Sequence, residues 1–220
     1  MSQPVAVLVG TMGAGKTTVG RLLADTLGVA FLDSDHAVEA RAGKPVQEIF
    51  VDDGEAAFRA LEREAVAAAL DEHEGVLALG GGAVLDPGTR ALLTEHRVVF
   101  LRVGLADAVK RVGLGVGRPM LLGNVRARVK QLIDERTPVY EGLARIAVDT
   151  DGRTPREVAE EVASGLRRLD TPSPSGSGYS TTGGSGYSTS GGSGCSTTGA
   201  RVTGSSRCRA AWLRARLGSR

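Results

Sequence analysis

The sequence predicts an α/β fold built on a parallel sheet, and three observations carry that reading. Short apolar, β-branched runs alternate with amphipathic helical stretches from Val5 to about Leu169. These runs are apolar throughout rather than alternating, as in strands buried on both faces beneath crossover helices. The first run breaks at a glycine-rich loop, residues 10–17, that opens directly into a helix. Such an arrangement implies right-handed crossovers, with ligands held beyond the carboxyl ends of the strands.

Taken in order, residues 5–9 form the first strand, ending at Gly10. Residues 17–27 place Val19, Leu22, Leu23 and Leu27 on one stripe and stop at Gly28, a natural C-cap. A second strand is predicted over 30–32, helices near 35–42 and 55–72, a strand over 76–79 and a helix near 88–93. Residues 98–103 read as a strand and 105–112 as a helix. Glycines punctuate 113–123, which reads as a loop. The helix over 125–136 is expected to stop ahead of Pro138. Residues 146–148 close the sheet. In the final helix, Thr154 and Glu157 fit a capping box around Pro155, and the pattern runs to about Leu169.

Composition divides the chain near Asp170. Residues 1–170 mix apolar and charged side chains as a folded domain does, whereas in 171–220 Ser, Thr and Gly dominate. The tail holds three near-copies of an eight-residue unit, GSGYSTTG, GSGYSTSG and GSGCSTTG. It cannot bury enough apolar surface to offset its chain entropy, so disorder is expected. Its basic end, with Trp212 and Leu213, suits an acidic partner or a passive extension.

The tail carries six arginines and no Lys, Asp or Glu, so the net +2 of the whole leaves −4 on the folded part. That balance gives the core no electrostatic reason to bind nucleic acid. Both cysteines, Cys195 and Cys208, lie in the tail, which leaves the core without a disulfide framework or a thiolate metal site. No run reaches membrane-span length, and a reducing cytoplasm is the expected compartment.

The loop Gly10-Thr11-Met12-Gly13-Ala14-Gly15-Lys16-Thr17 matches the phosphate-binding P-loop and stands between a buried strand and a helix. Its glycines let backbone N–H groups turn toward phosphate oxygens, and the helix N-terminus adds positive potential. Lys16 reaches the β- and γ-phosphates, and the Thr17 hydroxyl suits magnesium. Asp33-Ser34-Asp35 follows the second strand, so both carboxylates emerge at the sheet edge that holds the loop. One acid can serve magnesium and the other a substrate hydroxyl, although helix capping also accounts for either.

Arg59 and Glu62 stand three apart on a helix whose buried stripe is Phe58, Leu61 and Ala65. They read as an arginine fork with its rotamer fixed, or as a surface ion pair. Gly80-Gly81-Gly82 permits close approach of a ligand or makes a tight turn. Arg118, among the glycines of 113–123, reads as a cation on a mobile lid. Arg136 complements a helix C-terminus or clamps a second anion.

Together, from about Val5 to Leu169, these residues resemble the shikimate kinase family. The resemblance implies a P-loop NTPase-type sheet of five parallel strands sandwiched by helices, with a lid. It implies transfer of phosphate from ATP to shikimate with magnesium as cofactor, giving 3-phosphoshikimate and ADP in aromatic amino-acid synthesis. Lys16, Asp35 and Arg118 would be catalytic. Gly13, Ala14, Gly15, Lys16, Thr17, Thr18, Arg111, Arg118 and Arg153 would bind ATP, with Arg111 and Arg153 packing against adenine. Asp35, Arg59, Gly81, Gly82 and Arg136 would hold shikimate, and Thr17 and Asp33 the metal. A monomer is expected. A sister kinase acting on gluconate or a nucleoside monophosphate is the competing reading; the paired arginines favour a carboxylate acceptor.

Overall fold

The computed structural model describes residues 3–113 and 125–170. Five parallel strands, β1 (Ala6–Val9), β2 (Phe31–Asp33), β3 (Val76–Ala78), β4 (Val98–Arg102) and β5 (Ile146–Asp149), form one sheet in the order β2-β3-β1-β4-β5. Alternation of side chains across the strands feeds two separate cores. Ala6, Leu8, Val76, Ala78, Val99 and Leu101 face one core. Val7, Val9, Leu77, Leu79, Val98 and Phe100 face the other.

Helices cover both faces. α1 (Lys16–Leu27) and α8 (Pro155–Asp170) supply Val19, Leu23, Val158, Val162 and Leu166 to the first core. α4 (Gly54–Glu72) and α5 (Pro87–Leu93) supply Val66, Ala69, Leu70 and Leu93 to the second. α2 (Ser34–Ala42) and α3 (Val46–Asp52) lean on α4 around a smaller cluster of Val38, Ile49, Phe58 and Ala65. α6 (Leu105–Gly113) and α7 (Val125–Leu143) complete the set.

Most expected elements stand within a residue or two of their predicted bounds, and the Thr154–Glu157 capping box is formed, Thr154 N donating to Glu157 Oε2 at 2.8 Å. Two differences matter. α3 has no counterpart in the sequence reading, because its seven residues bury only Ile49. α7 runs through Pro138 instead of ending before it. A proline forfeits one backbone bond of the helix, while continuing to Tyr140 buries that ring completely and stacks it on Phe100 at 5.2 Å. Packing of this size outweighs the lost bond. Arg136 is therefore interior to a helix, and its reading as a C-terminal charge is corrected. The described residues belong to one compact unit. The expected lid beyond Gly113, with Arg118, and the tail 171–220 lie outside them.

Candidate active site

Strand order decides where chemistry can collect. β1 is the middle strand; the chain builds β2 and β3 on one side of it and then crosses to β4 and β5 on the other, which opens a crevice at its carboxyl end. The loop 10–17 fills that position. Gly10 lies so close to the sheet that a Cβ there would stand 2.6 Å from the Leu101 carbonyl oxygen, and Gly13 and Gly15 hold φ at 82° and 86°. Ala14 is buried, Thr18 exposed, and Gly15 is the N-cap of α1. The Lys16 ammonium donates to the carbonyls of Gly10 at 2.8 Å and Thr11 at 3.2 Å, folding back over its own loop.

β2 ends beside this loop. Asp33 Oδ2 accepts from the Thr17 hydroxyl at 2.9 Å, and its Oδ1 accepts from Asp35 N at 3.1 Å. The capping role and the place beside Thr17 thus coexist, one on each carboxylate oxygen. Asp35 keeps an exposed side chain in the open crevice. The protein around the crevice still strips enough water to raise its carboxyl above the ordinary range; Asp33 adds to this and Lys16 opposes it.

Three side chains converge on the turn after β3. A Cβ on Gly80 would meet Asp35 Oδ1 at 2.7 Å, one on Gly81 would meet Arg136 Nη1 at 3.3 Å, and one on Gly82 would meet Arg59 Nη1 at 2.6 Å. The glycine triplet is therefore a floor that an acid and two guanidinium groups occupy where side chains would otherwise stand. Arg59 arrives from α4, paired with buried Glu62 at 2.6 Å and stacked over Phe58 at 5.3 Å. Burial raises the Glu62 carboxyl, with Arg59 pulling it back down. Arg136 arrives from α7, and its buried Nε has no hydrogen-bond partner among the described residues, the condition of a donor awaiting an anion.

Two contacts beneath the turn escaped the sequence reading. Gly80 N donates to the fully buried Ser34 hydroxyl at 2.8 Å, and the Tyr140 hydroxyl donates to Gly81 O at 2.7 Å. Burial pushes the Tyr140 hydroxyl up to about 12, against the pull of Arg136. A serine between two acids directly after a strand, and a tyrosine one helical turn after Arg136, were the available signals.

Arg111 and Arg153 are both held by protein. Arg111 donates to Gly13 O at 3.1 Å and to the Thr150 carbonyl at 2.8 Å and pairs with Asp107 at 3.0 Å, tying the loop 10–17 to the end of β5. Arg153 donates to Asp149 O at 3.1 Å and pairs with Glu161 at 2.6 Å. In-plane bonds of this kind are compatible with stacking on the guanidinium face.

A phosphate-binding loop on the middle strand of a parallel sheet, with a carboxylate and two arginines gathered on the turn that abuts its Gly10 carbonyl, defines a P-loop phosphotransferase with a small acceptor. The shikimate kinase family model matches residues 12–167, and the chain belongs to that family. It is 61% identical over 165 residues to shikimate kinase of Thermobifida fusca (strain YX), spanning 75% of this chain and 96% of that one. Over 161 residues it is 63% identical to shikimate kinase of Salinispora arenicola (strain CNS-205), spanning 73% and 96%. Shikimate kinase from Acinetobacter baumannii, solved in complex with shikimate, has a TM-score of 0.73 at 33% identity over 78% of this chain and 97% of that one.

Proposed function

We propose that the chain transfers the γ-phosphoryl group of ATP to the 3-hydroxyl of shikimate, giving 3-phosphoshikimate and ADP. The observation that carries this reading is the convergence of Asp35, Arg136 and Arg59 on residues 80–82, beside the loop that holds Lys16 and Thr17. A ring acid has a carboxylate for the two arginines and hydroxyls for the carboxylate, and membership in the shikimate kinase family supports the same acceptor.

Gly13, Ala14, Gly15 and Thr18 frame the nucleotide phosphates with their backbone, and Lys16 exchanges its loop carbonyls for phosphate oxygens. Thr17 and Asp33 would hold magnesium: their hydroxyl and carboxylate oxygens, 2.9 Å apart, suit a hard cation that takes one or two protein ligands and keeps its waters. Bound there, the ion neutralises charge on the transferring phosphate. Asp35 accepts or orients the proton of the acceptor hydroxyl. Arg59 and Arg136 grip the acceptor carboxylate, with the Gly81 and Gly82 backbone close against it. Arg118 brings a further cation to the phosphoryl group, and Arg111 and Arg153 flank adenine.

Residues 1–170 form the catalytic domain, and 171–220 is an appendage to it; the family match within 12–167 supports that boundary. The chain is proposed to act as a monomer. Among the described residues no helix is long and apolar enough to cross a membrane, and reliance on ATP supports a cytoplasmic location. The test is ADP release with shikimate, gluconate and nucleoside monophosphates offered in turn. Turnover is expected with shikimate; release with gluconate or a nucleotide instead would overturn the acceptor.

A further inference from the structure

Three consecutive glycines cannot lock themselves, because without side chains they have more backbone freedom than any other residues. Yet residues 80–82 must be fixed closely, since Asp35, Arg136 and Arg59 rest on them. Two buried hydroxyls supply the constraint from opposite directions. Ser34, in the first turn of α2, accepts from Gly80 N at 2.8 Å and so fastens the turn to the helix that carries Asp35. Tyr140, from α7, donates to Gly81 O at 2.7 Å. Because a peptide is planar and trans, holding that carbonyl also sets the direction of the Gly82 N–H. Both side chains are fully buried, and the Tyr140 ring is itself held by stacking on Phe100.

We propose that Ser34 and Tyr140 are positioning residues for the phosphoryl acceptor, pinning the 80–82 turn in the one placement that brings Asp35, Arg136 and Arg59 to bear on a single small molecule. The inference rests on the shikimate phosphorylation proposed above. The hydrogen bonds of both hydroxyls go to the 80–82 turn, so the pins are expected to act on the acceptor half of the site more than on the nucleotide half.

The test compares the full-length chain with Ser34→Ala and Tyr140→Phe. Initial rates are measured with shikimate varied at saturating MgATP and with MgATP varied at saturating shikimate, alongside thermal melts. Losing either bond leaves a buried backbone group unpaired and frees the turn, so the KM for shikimate is expected to rise about tenfold while the KM for ATP stays within about twofold. Should Ser34→Ala fail to fold, Tyr140→Phe decides alone, since it deletes one oxygen and keeps the stacked ring. Folded variants with an unchanged KM for shikimate would overturn the proposal, as would a parallel rise in both KM values, the mark of a merely structural role. If the parent chain does not phosphorylate shikimate, the functional reading fails and this one falls with it. Turnover by the parent with no shift in the variants sinks the positioning role alone.

Discussion

Asp35 stands open to solvent, yet its carboxyl titrates above the ordinary range because the crevice walls and Asp33 disfavour its charge. In its proposed role toward the acceptor hydroxyl, a carboxylate with this shift is expected to place the acid limb of the rate profile above the usual carboxylate value. Asp35→Asn is expected to lower kcat by a factor of about 10² to 10⁴ and to abolish that limb, read from rates between pH 4 and 8. The same shift bears on stability. A carboxyl whose folded pKa is raised binds more protons folded than unfolded, so it opposes folding increasingly as pH rises through the folded pKa. Asp35→Asn should therefore melt higher than the parent at neutral pH, with the advantage fading below the unfolded value of 3.8. Arg59 works in the opposite sense, because beyond its proposed grip on the acceptor carboxylate it neutralises buried Glu62. Arg59→Ala is expected to raise the KM for shikimate roughly ten- to a hundredfold with little change for ATP. It should also lower the melting temperature, since Glu62 is left without its cation. The i,i+3 spacing made this pair legible in the sequence; the burial of Glu62 was not, because it depends on the β3 turn packed above it.

Short elements and turns carry most of the site, and they divide sharply in how far sequence reveals them. α1 and α8 announce themselves by stripe and cap. α3 does not, since a helix with one buried side chain has almost no periodic signal. Pro138 misleads for a related reason: local backbone preference says stop, whereas the burial of Tyr140 two residues later belongs to tertiary structure. That continuation matters functionally, because it sets Arg136 and Tyr140 one turn apart on the same face, so both reach Gly81. The triplet 80–82 reads as a permissive turn from sequence, while its use as a meeting point depends on residues from three helices. Gly82 has an ordinary φ of −99°, so alanine there is not strained by backbone. Its Cβ would still displace the Arg59 guanidinium. Gly82→Ala is accordingly expected to fold with a near-parental melting temperature and to lose about a hundredfold in kcat/KM for shikimate.

At the scale of the whole molecule, the fold was legible because a P-loop between a buried strand and a helix constrains what surrounds it, and because parallel strands announce themselves as unbroken apolar runs. The proposed domain limit near Asp170 rests on composition. Removing residues 171–220 should leave kcat and both KM values within about twofold of the full chain, measured by ADP release; a collapse in activity would give the tail a catalytic part. Strand order has a consequence in time as well as in space. β1 pairs with β3 and β4, Ala6 meeting Val76 and Val7 meeting Val98, and Gly10 is seated against the carbonyl of Leu101. The phosphate loop leaves the ribosome well before β3 and β4, the strands that shape it. Distant pairing of this kind is slow to close and cannot begin until the partner exists. A nascent chain halted before β4 thus carries the whole P-loop sequence and no nucleotide site, so ATP can stabilise only a chain that has already folded.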